Sequence, residues 1–433
     1  MAKKRIKWYK NPLILTLIGL IGGAILGFLA SYYFTIREEN INRSRLMTNI
    51  DYAEQLLDQN MPQDALNKYQ ELLTKVSKEV EPQLFARVKI GEGLSYSMLA
   101  YSNDQEQNLK KAITAYREAM DVFTLNKYPA NFAKTQGYLA NAYLAISEIR
   151  DKEENLNMAI QSNNEALKVY TVEDYQYQYA ATKLNLGINY ECLSDIKDKQ
   201  SNLDRAISLY NEAGSIFTEK ENPTEYATVQ INIANSYLRL SEIENMKENL
   251  KNAIASNEKA LKIFTIESYP IDYATVQLNI GIAYESLSGV ENTEENLKKA
   301  VESYENAVDI FNAEEYPADY GAIQNSIANA HLSLSHIEDQ EENLKKVEAA
   351  YEEALKIFKV ESYPTDYART QVGFGEYYLH LSQIRDKEEN LDNAIAAFEE
   401  ALKIFTLDSY PDDYSLVKNK LEEAYLKLSE INN

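Results

Sequence analysis

One spacing governs this chain. Prolines stand at 82, 129, 223, 270, 317, 364 and 411, at intervals of 47 or 94 residues, with Gln176 at the missing place. Asn-Leu pairs keep the same step: Asn108-Leu109, Asn155-Leu156, Asn202-Leu203, Asn249-Leu250, Asn296-Leu297, Asn343-Leu344 and Asn390-Leu391. Self-similarity at a period of ~20–50 residues marks a stacked array, whose units bury their apolar faces against their neighbours. By length alone, 433 residues would suggest about three domains of ~100–200 residues. The period predicts one quasi-linear stack instead.

The unit from Pro270 to Tyr316 shows what is stacked. Tyr273, Val276, Ile280, Tyr284 and Leu287 recur three and four apart, the spacing of one helix face. Pro270 suits the first turn of that helix, where a missing N–H costs nothing. The pattern breaks at Glu291–Thr293. It resumes with Leu297, Ala300, Val301, Tyr304, Ala307, Val308 and Phe311 on a second helix. In other units this second helix opens with Asp151–Glu154 or Asp386–Glu389, which predicts a capping box of the Asp-x-x-Glu form. Each unit therefore reads as a helical hairpin. No strand-type alternation appears, so the class is all-α.

The residues at the helix crossings carry a family resemblance. Leu186-Gly187-x-x-Tyr190 precedes Ala206, Tyr210 and Ala213, and Ile280-Gly281-x-x-Tyr284 precedes Ala300, Tyr304 and Ala307. This resembles the tetratricopeptide repeat, whose usual length is 34 residues. Each unit here is longer, in the helices or their connections. The resemblance implies a right-handed α-solenoid of tetratricopeptide-like hairpins. It covers a short hairpin at 44–81, seven 47-residue repeats over 82–410, and a polar capping helix over 411–433, where Glu422 and Glu423 replace the usual small residues.

Ahead of the repeats lies a different composition. A basic segment, 1–12, holds Lys3, Lys4, Arg5, Lys7 and Lys10 and is followed by an uncharged stretch, 13–34. The stretch is long enough for the ~20 residues of a transmembrane helix. Trp8, Tyr9, Tyr32 and Tyr33 stand where interfacial aromatics belong. A signal peptide has an apolar region of only ~7–15 residues and a small-x-small cleavage site. This stretch is longer and lacks such a site, so an uncleaved signal-anchor is expected, with 35–43 as the juxtamembrane linker. Five cations precede the span and three (Arg37, Arg43, Arg45) follow it. The positive-inside rule then places the N-terminus in the cytoplasm and the repeats outside the cell membrane. Gly19, Gly23 and Gly27 share one face of the span. That spacing permits close packing of a second transmembrane helix, and the ordinary frequency of Gly in such helices also accounts for it.

The charge bears on partners. The whole chain carries −23, and residues 1–45 contribute +6, which leaves −29 on the remainder. Nucleic-acid affinity comes from Lys and Arg releasing counterions, so a nucleic-acid partner is not expected.

A second period, of 94 residues, overlies the first. The small residue of the first helix alternates: Gly93, Ala140, Gly187, Ala234, Gly281, Ala328, Gly375. Asn141, Asn235 and Asn329 follow the alanines. Leu144, Leu238 and Leu332 interleave with Glu191 and Glu285. By the tetratricopeptide resemblance the first helices line a concave groove. Asn141, Asn235 and Asn329 would then form a row in it, with Glu191 and Glu285 between and Asn185, Asn232 and Asn279 on a neighbouring stripe. Asparagine can hold an extended peptide, since it offers both donors and an acceptor. The same residues could instead satisfy one another or mark a duplicated ancestor.

Chemistry has few candidates. One cysteine, Cys192, excludes an internal disulfide, and the three histidines, His331, His336 and His380, show no metal-ligand spacing. His331 takes a Tyr position and reads as a packing substitute. No cofactor, metal or catalytic residue is expected. The sequence thus predicts a membrane-anchored scaffold for a protein or peptide partner, and not an enzyme. Two alternatives stay open: a self-assembling, homo-oligomeric membrane protein, and a regulatory adaptor for a separately encoded enzyme.

Overall fold

The computed structural model describes residues 31–32, 37–38 and 40–431. The predicted transmembrane helix lies outside the described residues apart from 31–32, and so do Gly19, Gly23 and Gly27. Among the described residues no helix is long and apolar enough to cross a membrane.

All regular structure in the described residues is helical, in seventeen helices. They fall into two compact units divided between Thr171 and Val172. The division falls at a repeat boundary, just before Gln176, the place where the proline series is interrupted. The first unit holds α1 (40–58), α2 (Pro62–Leu73), α3 (Pro82–Leu99), α4 (Gln105–Met120), α5 (Pro129–Ser147) and α6 (Lys152–Ala166). The second unit continues with α7 (Gln176–Leu193), α8 (Lys199–Gly214), α9 (Pro223–Ser241), α10 (Met246–Ala260) and α11 (Pro270–Ser288). It closes with α12 (Thr293–Val308), α13 (Pro317–Ser335), α14 (Gln340–Ile357), α15 (Pro364–Leu381), α16 (Lys387–Leu402) and α17 (Pro411–Ser429). Within each unit every helix packs on its sequence neighbours. First helices of successive hairpins also touch: α3 with α5, α7 with α9, α9 with α11 and α13 with α15.

The periodic residues build the connections. Each first helix that opens on proline has it at the N-terminal position, after a non-helical residue such as Tyr269 (φ −143°, ψ 64°) or Tyr316 (φ −132°, ψ 57°). Proline disfavours helical backbone in the residue before it and pre-sets its own, so the boundary is sharp. The tyrosine turns edge-on to the phenylalanine five residues earlier. Phe264–Tyr269, Phe311–Tyr316, Phe358–Tyr363 and Phe405–Tyr410 have ring centroids 5.2–5.5 Å apart. That arrangement suits the aromatic quadrupoles.

The connection inside each hairpin differs from the predicted capping box. Asp151 and Asp386 precede their helices with φ of 46° and 44° and make no side-chain capping bond. Asp104, Asp198, Asn245, Asn292 and Asp339 share this left-handed conformation, which Asp and Asn tolerate better than other side chains. The recurring asparagine closes the turn instead. The Nδ2 groups of Asn108, Asn155, Asn202, Asn249, Asn296, Asn343 and Asn390 each donate to the carbonyl five residues back, at 2.7–3.0 Å.

A serine works from the other side. The hydroxyls of Ser147, Ser194, Ser241, Ser288, Ser335 and Ser382 donate to the carbonyl three residues back at 2.6–2.8 Å. The leucine after each asparagine is at most 3% exposed. One residue thus satisfies the turn while the next anchors it in the core.

Candidate interaction surface on the first helices

The alternation of the first helices has a packing cause. At Gly187 an added Cβ would stand 2.4 Å from Cε1 of Tyr210, and at Gly281 it would stand 2.4 Å from Cε1 of Tyr304. Real side chains never approach so closely, so the ring of the second helix requires glycine opposite it. In the intervening hairpin Ala234 faces a second helix that carries Asn257 at the tyrosine place. Gly pairs with Tyr, and Ala with Asn. The exception follows the same rule. Ala328 stands in a hairpin that keeps Tyr351, and that ring leans onto Gly373 of the next first helix, at 2.4 Å from an added Cβ.

This packing sets two carboxylates. Tyr210 donates to Oε2 of Glu191 at 2.7 Å, and Tyr304 donates to Oε2 of Glu285 at 2.5 Å. The leucines at 144 and 238 belong to hairpins with asparagine at the tyrosine place, where no hydroxyl needs an acceptor, and in the Leu332 hairpin the Tyr351 hydroxyl donates to Asn329 instead. Both carboxyls are pushed above the usual carboxylate range, chiefly by burial, with the tyrosine bond opposing the shift.

Beyond the tyrosine the two sites differ. Ser236 donates to Glu191 at 3.2 Å, Arg239 lies 3.6 Å from its Oε1, and Arg239 also pairs with Asp195 and Ser194. Glu285 has Tyr304 as its side-chain partner.

The asparagines divide between the units. Asn141 is exposed on α5 of the first unit. On the second unit, Asn329 is exposed on α13 and accepts a bond from the Tyr351 hydroxyl at 2.5 Å. Asn279 on α11 donates to Oδ1 of Asn235 on α9 at 3.0 Å, so these two satisfy one another while staying half-exposed. Asn185 and Asn232 are half-buried on α7 and α9.

Three buried asparagines, Asn163, Asn189 and Asn257, have side-chain atoms without a hydrogen-bond partner. None stands out in sequence, because each occupies a helical position where neighbouring units keep Ser, Ala or Tyr.

Tertiary structure also joins residues that sequence keeps apart. The rings of His336 and His380 lie with centroids 3.9 Å apart, at the ends of α13 and α15. Their separation of 44 residues rather than 47 hides the pairing. His331 is buried and bonded through Nδ1 to Oδ1 of Asn343 at 2.8 Å, and burial lowers its pKa. Cys192 is half-buried in the last turn of α7. Among the described residues no group of three or more His, Cys, Asp or Glu is placed to hold a metal ion.

Comparison with known proteins places this geometry. The family described as tetratricopeptide repeat matches residues 375–405, from the middle of α15 to just past α16. Among solved structures, the apo form of RapI covers 89% of this chain and 98% of its own, at 13% identity and a TM-score of 0.55. The apo quorum sensor NprR from B. thuringiensis covers 88% and 99%, at 14% identity and a TM-score of 0.47. A Rap protein complexed with competence and sporulation factor covers 89% and 99%, at 16% identity and a TM-score of 0.41. At such identities the likeness is one of fold, and the RapI comparison carries it. No curated protein matches the sequence. A tetratricopeptide repeat is thus matched at residues 375–405, and the chain as a whole shares its all-helical fold with RapI.

Proposed function

We propose that this protein is a membrane-anchored scaffold that holds a protein or peptide partner along the first helices of its hairpins. One observation supports the reading most. In the second unit the first helices carry half-exposed carboxamides where Asn235 meets Asn279, and largely buried carboxylates at Glu191 and Glu285. Burying polar groups there costs stability, and a surface whose only task was to pack would carry apolar residues. A carboxamide row offers donors and acceptors to an extended backbone. The fold likeness to RapI is consistent with such a use and leaves the partner open.

The anchor rests on the uncharged stretch 13–34 and the basic segment before it. In this reading the repeats lie outside the cytoplasmic membrane.

Replacing Asn141, Asn235 and Asn329 together by Ala tests the groove. Partner capture by the full chain should fall while helicity, read by circular dichroism, stays unchanged. Undiminished capture would remove the asparagine row from the reading. Protease added to intact cells tests the topology: digestion of the repeats is expected, and full protection would reverse the orientation.

A further inference from the structure

The second unit contains its own template for a ligand. Glu191 and Glu285 stand 94 residues apart in equivalent places, each on a first helix and each accepting from the tyrosine of its hairpin. At Glu191 the rest of the shell is supplied by the next first helix. Ser236 donates to the carboxylate, and Arg239 places its guanidinium beside it, steadied by Asp195 and Ser194.

Moving 94 residues along replaces three of those four groups. Ser236 becomes Ala330, Arg239 becomes Ser333, and Asp195 becomes Gly289. Ser194 alone persists, as Ser288, whose hydroxyl turns to the Glu285 carbonyl. Glu285 keeps Tyr304 and loses the cation together with the residue that steadied it. Ser333, exposed and uncharged, takes the place of Arg239, and no cation among the described residues shifts the Glu285 carboxyl. Beside it stand Ile282, 40% exposed, and the exposed Asn329.

A carboxylate removed from water is costly unless a cation meets it. Glu191 has its cation from within the chain. We propose that Glu285 takes its cation from the partner: it is a docking point for an arginine side chain of an extended segment lying across α11 and α13. Arginine fits better than lysine. Its planar guanidinium can bond both carboxylate oxygens while its weaker hydration eases burial. Its aliphatic stem would cover Ile282, and Asn329 offers the neighbouring backbone a donor. The −29 carried by residues 46–433 attracts such a segment from a distance.

This inference rests on the groove reading above and adds the chemistry of the partner. The test uses the full-length chain in detergent micelles and two pools of fluorescent decapeptides, acetylated and amidated. The pools are random except at one central position, fixed as Arg in one and as its neutral isostere citrulline in the other. Anisotropy should show the Arg pool binding at least about thirtyfold more tightly, the lower range for truncating a buried charge pair. Glu285→Gln should abolish that preference. Ser333→Arg, a change at an exposed site, should also abolish it by supplying the guanidinium from within.

Equal binding of the two pools would overturn the inference and leave the groove reading standing. An Arg preference that survives both substitutions would overturn it as well, since the cation would then dock elsewhere. Binding of neither pool would overturn both.

Discussion

The ring of Tyr304 fills the space that a methyl group on Gly281 would need, with Cε1 2.4 Å from the ideal Cβ position. This one exclusion explains a pattern spread over the chain. Where the first helix has glycine the second carries a tyrosine or phenylalanine opposite, as at Gly93–Tyr116, Gly187–Tyr210 and Gly375–Phe398. Opposite Ala140 and Ala234 the second helix carries Asn163 and Asn257 in the equivalent place, while the Tyr351 ring of the Ala328 hairpin leans onto Gly373 instead.

Gly281→Ala should therefore destabilise the α11–α12 hairpin by about 1–3 kcal/mol, the usual cost of overpacking a well-filled core. Tyr304→Asn alone should also destabilise, by opening a cavity and leaving Glu285 without its donor. The double variant reproduces the Ala–Asn hairpin and should lose less than the sum of the two. A double-mutant cycle from urea unfolding measures the coupling. Strict additivity would contradict the steric rule.

Asn296→Ala should unfasten one turn. Its Nδ2 donates to the Glu291 carbonyl at 2.7 Å, and Asn292 between them has φ 47°. Loss of the bond should cost about 1–3 kcal/mol if the carbonyl stays shielded from water. Hydrogen exchange should report it as lost protection confined to residues 288–297. A uniform loss across the second unit would show a role in global rather than local stability.

Glu285 gives a pH dependence. Burial raises its folded pKa above the unfolded value. The folded chain then binds a proton more readily than the unfolded one, so this group's contribution to stability worsens as pH rises through the carboxylate range. At neutral pH the penalty is fully present. Glu285→Gln keeps an acceptor for Tyr304 and removes the charge. It should raise the urea midpoint at pH 7 and leave the midpoint nearly unchanged below pH ~4. A lower midpoint at pH 7 would mean that the charged bond to Tyr304 outweighs burial.

The histidine pair gives the opposite sign. Burial first, and then the neighbouring His336, hold His380 below the usual imidazole range. The unfolded chain therefore binds more protons than the folded one near and below pH ~6.5, and stability should fall as pH drops from about 7 to about 5. His380→Gln should flatten the loss, read as hydrogen exchange at the ends of α13 and α15. An unchanged slope would assign the acid sensitivity to other groups.

The sequence by itself determined the repeating unit. Proline, the following apolar spacing of three and four, and the recurring asparagine each act over a few residues, so local chemistry marks where the helices and turns fall. The fold class and the family likeness were legible for that reason. The capping box was misread for a related one: Asp-x-x-Glu fits two local arrangements, and the buried leucine after each asparagine selects the left-handed turn.

Only the tertiary structure decided the surface. The 94-residue alternation is a relation between helices, set by whether a ring or a carboxamide fills the space opposite a glycine or an alanine. Contacts between neighbouring hairpins likewise paired Asn279 with Asn235, brought His336 onto His380 and gave Arg239 to Glu191. Such relations depend on distances between helices that no single stretch of chain encodes.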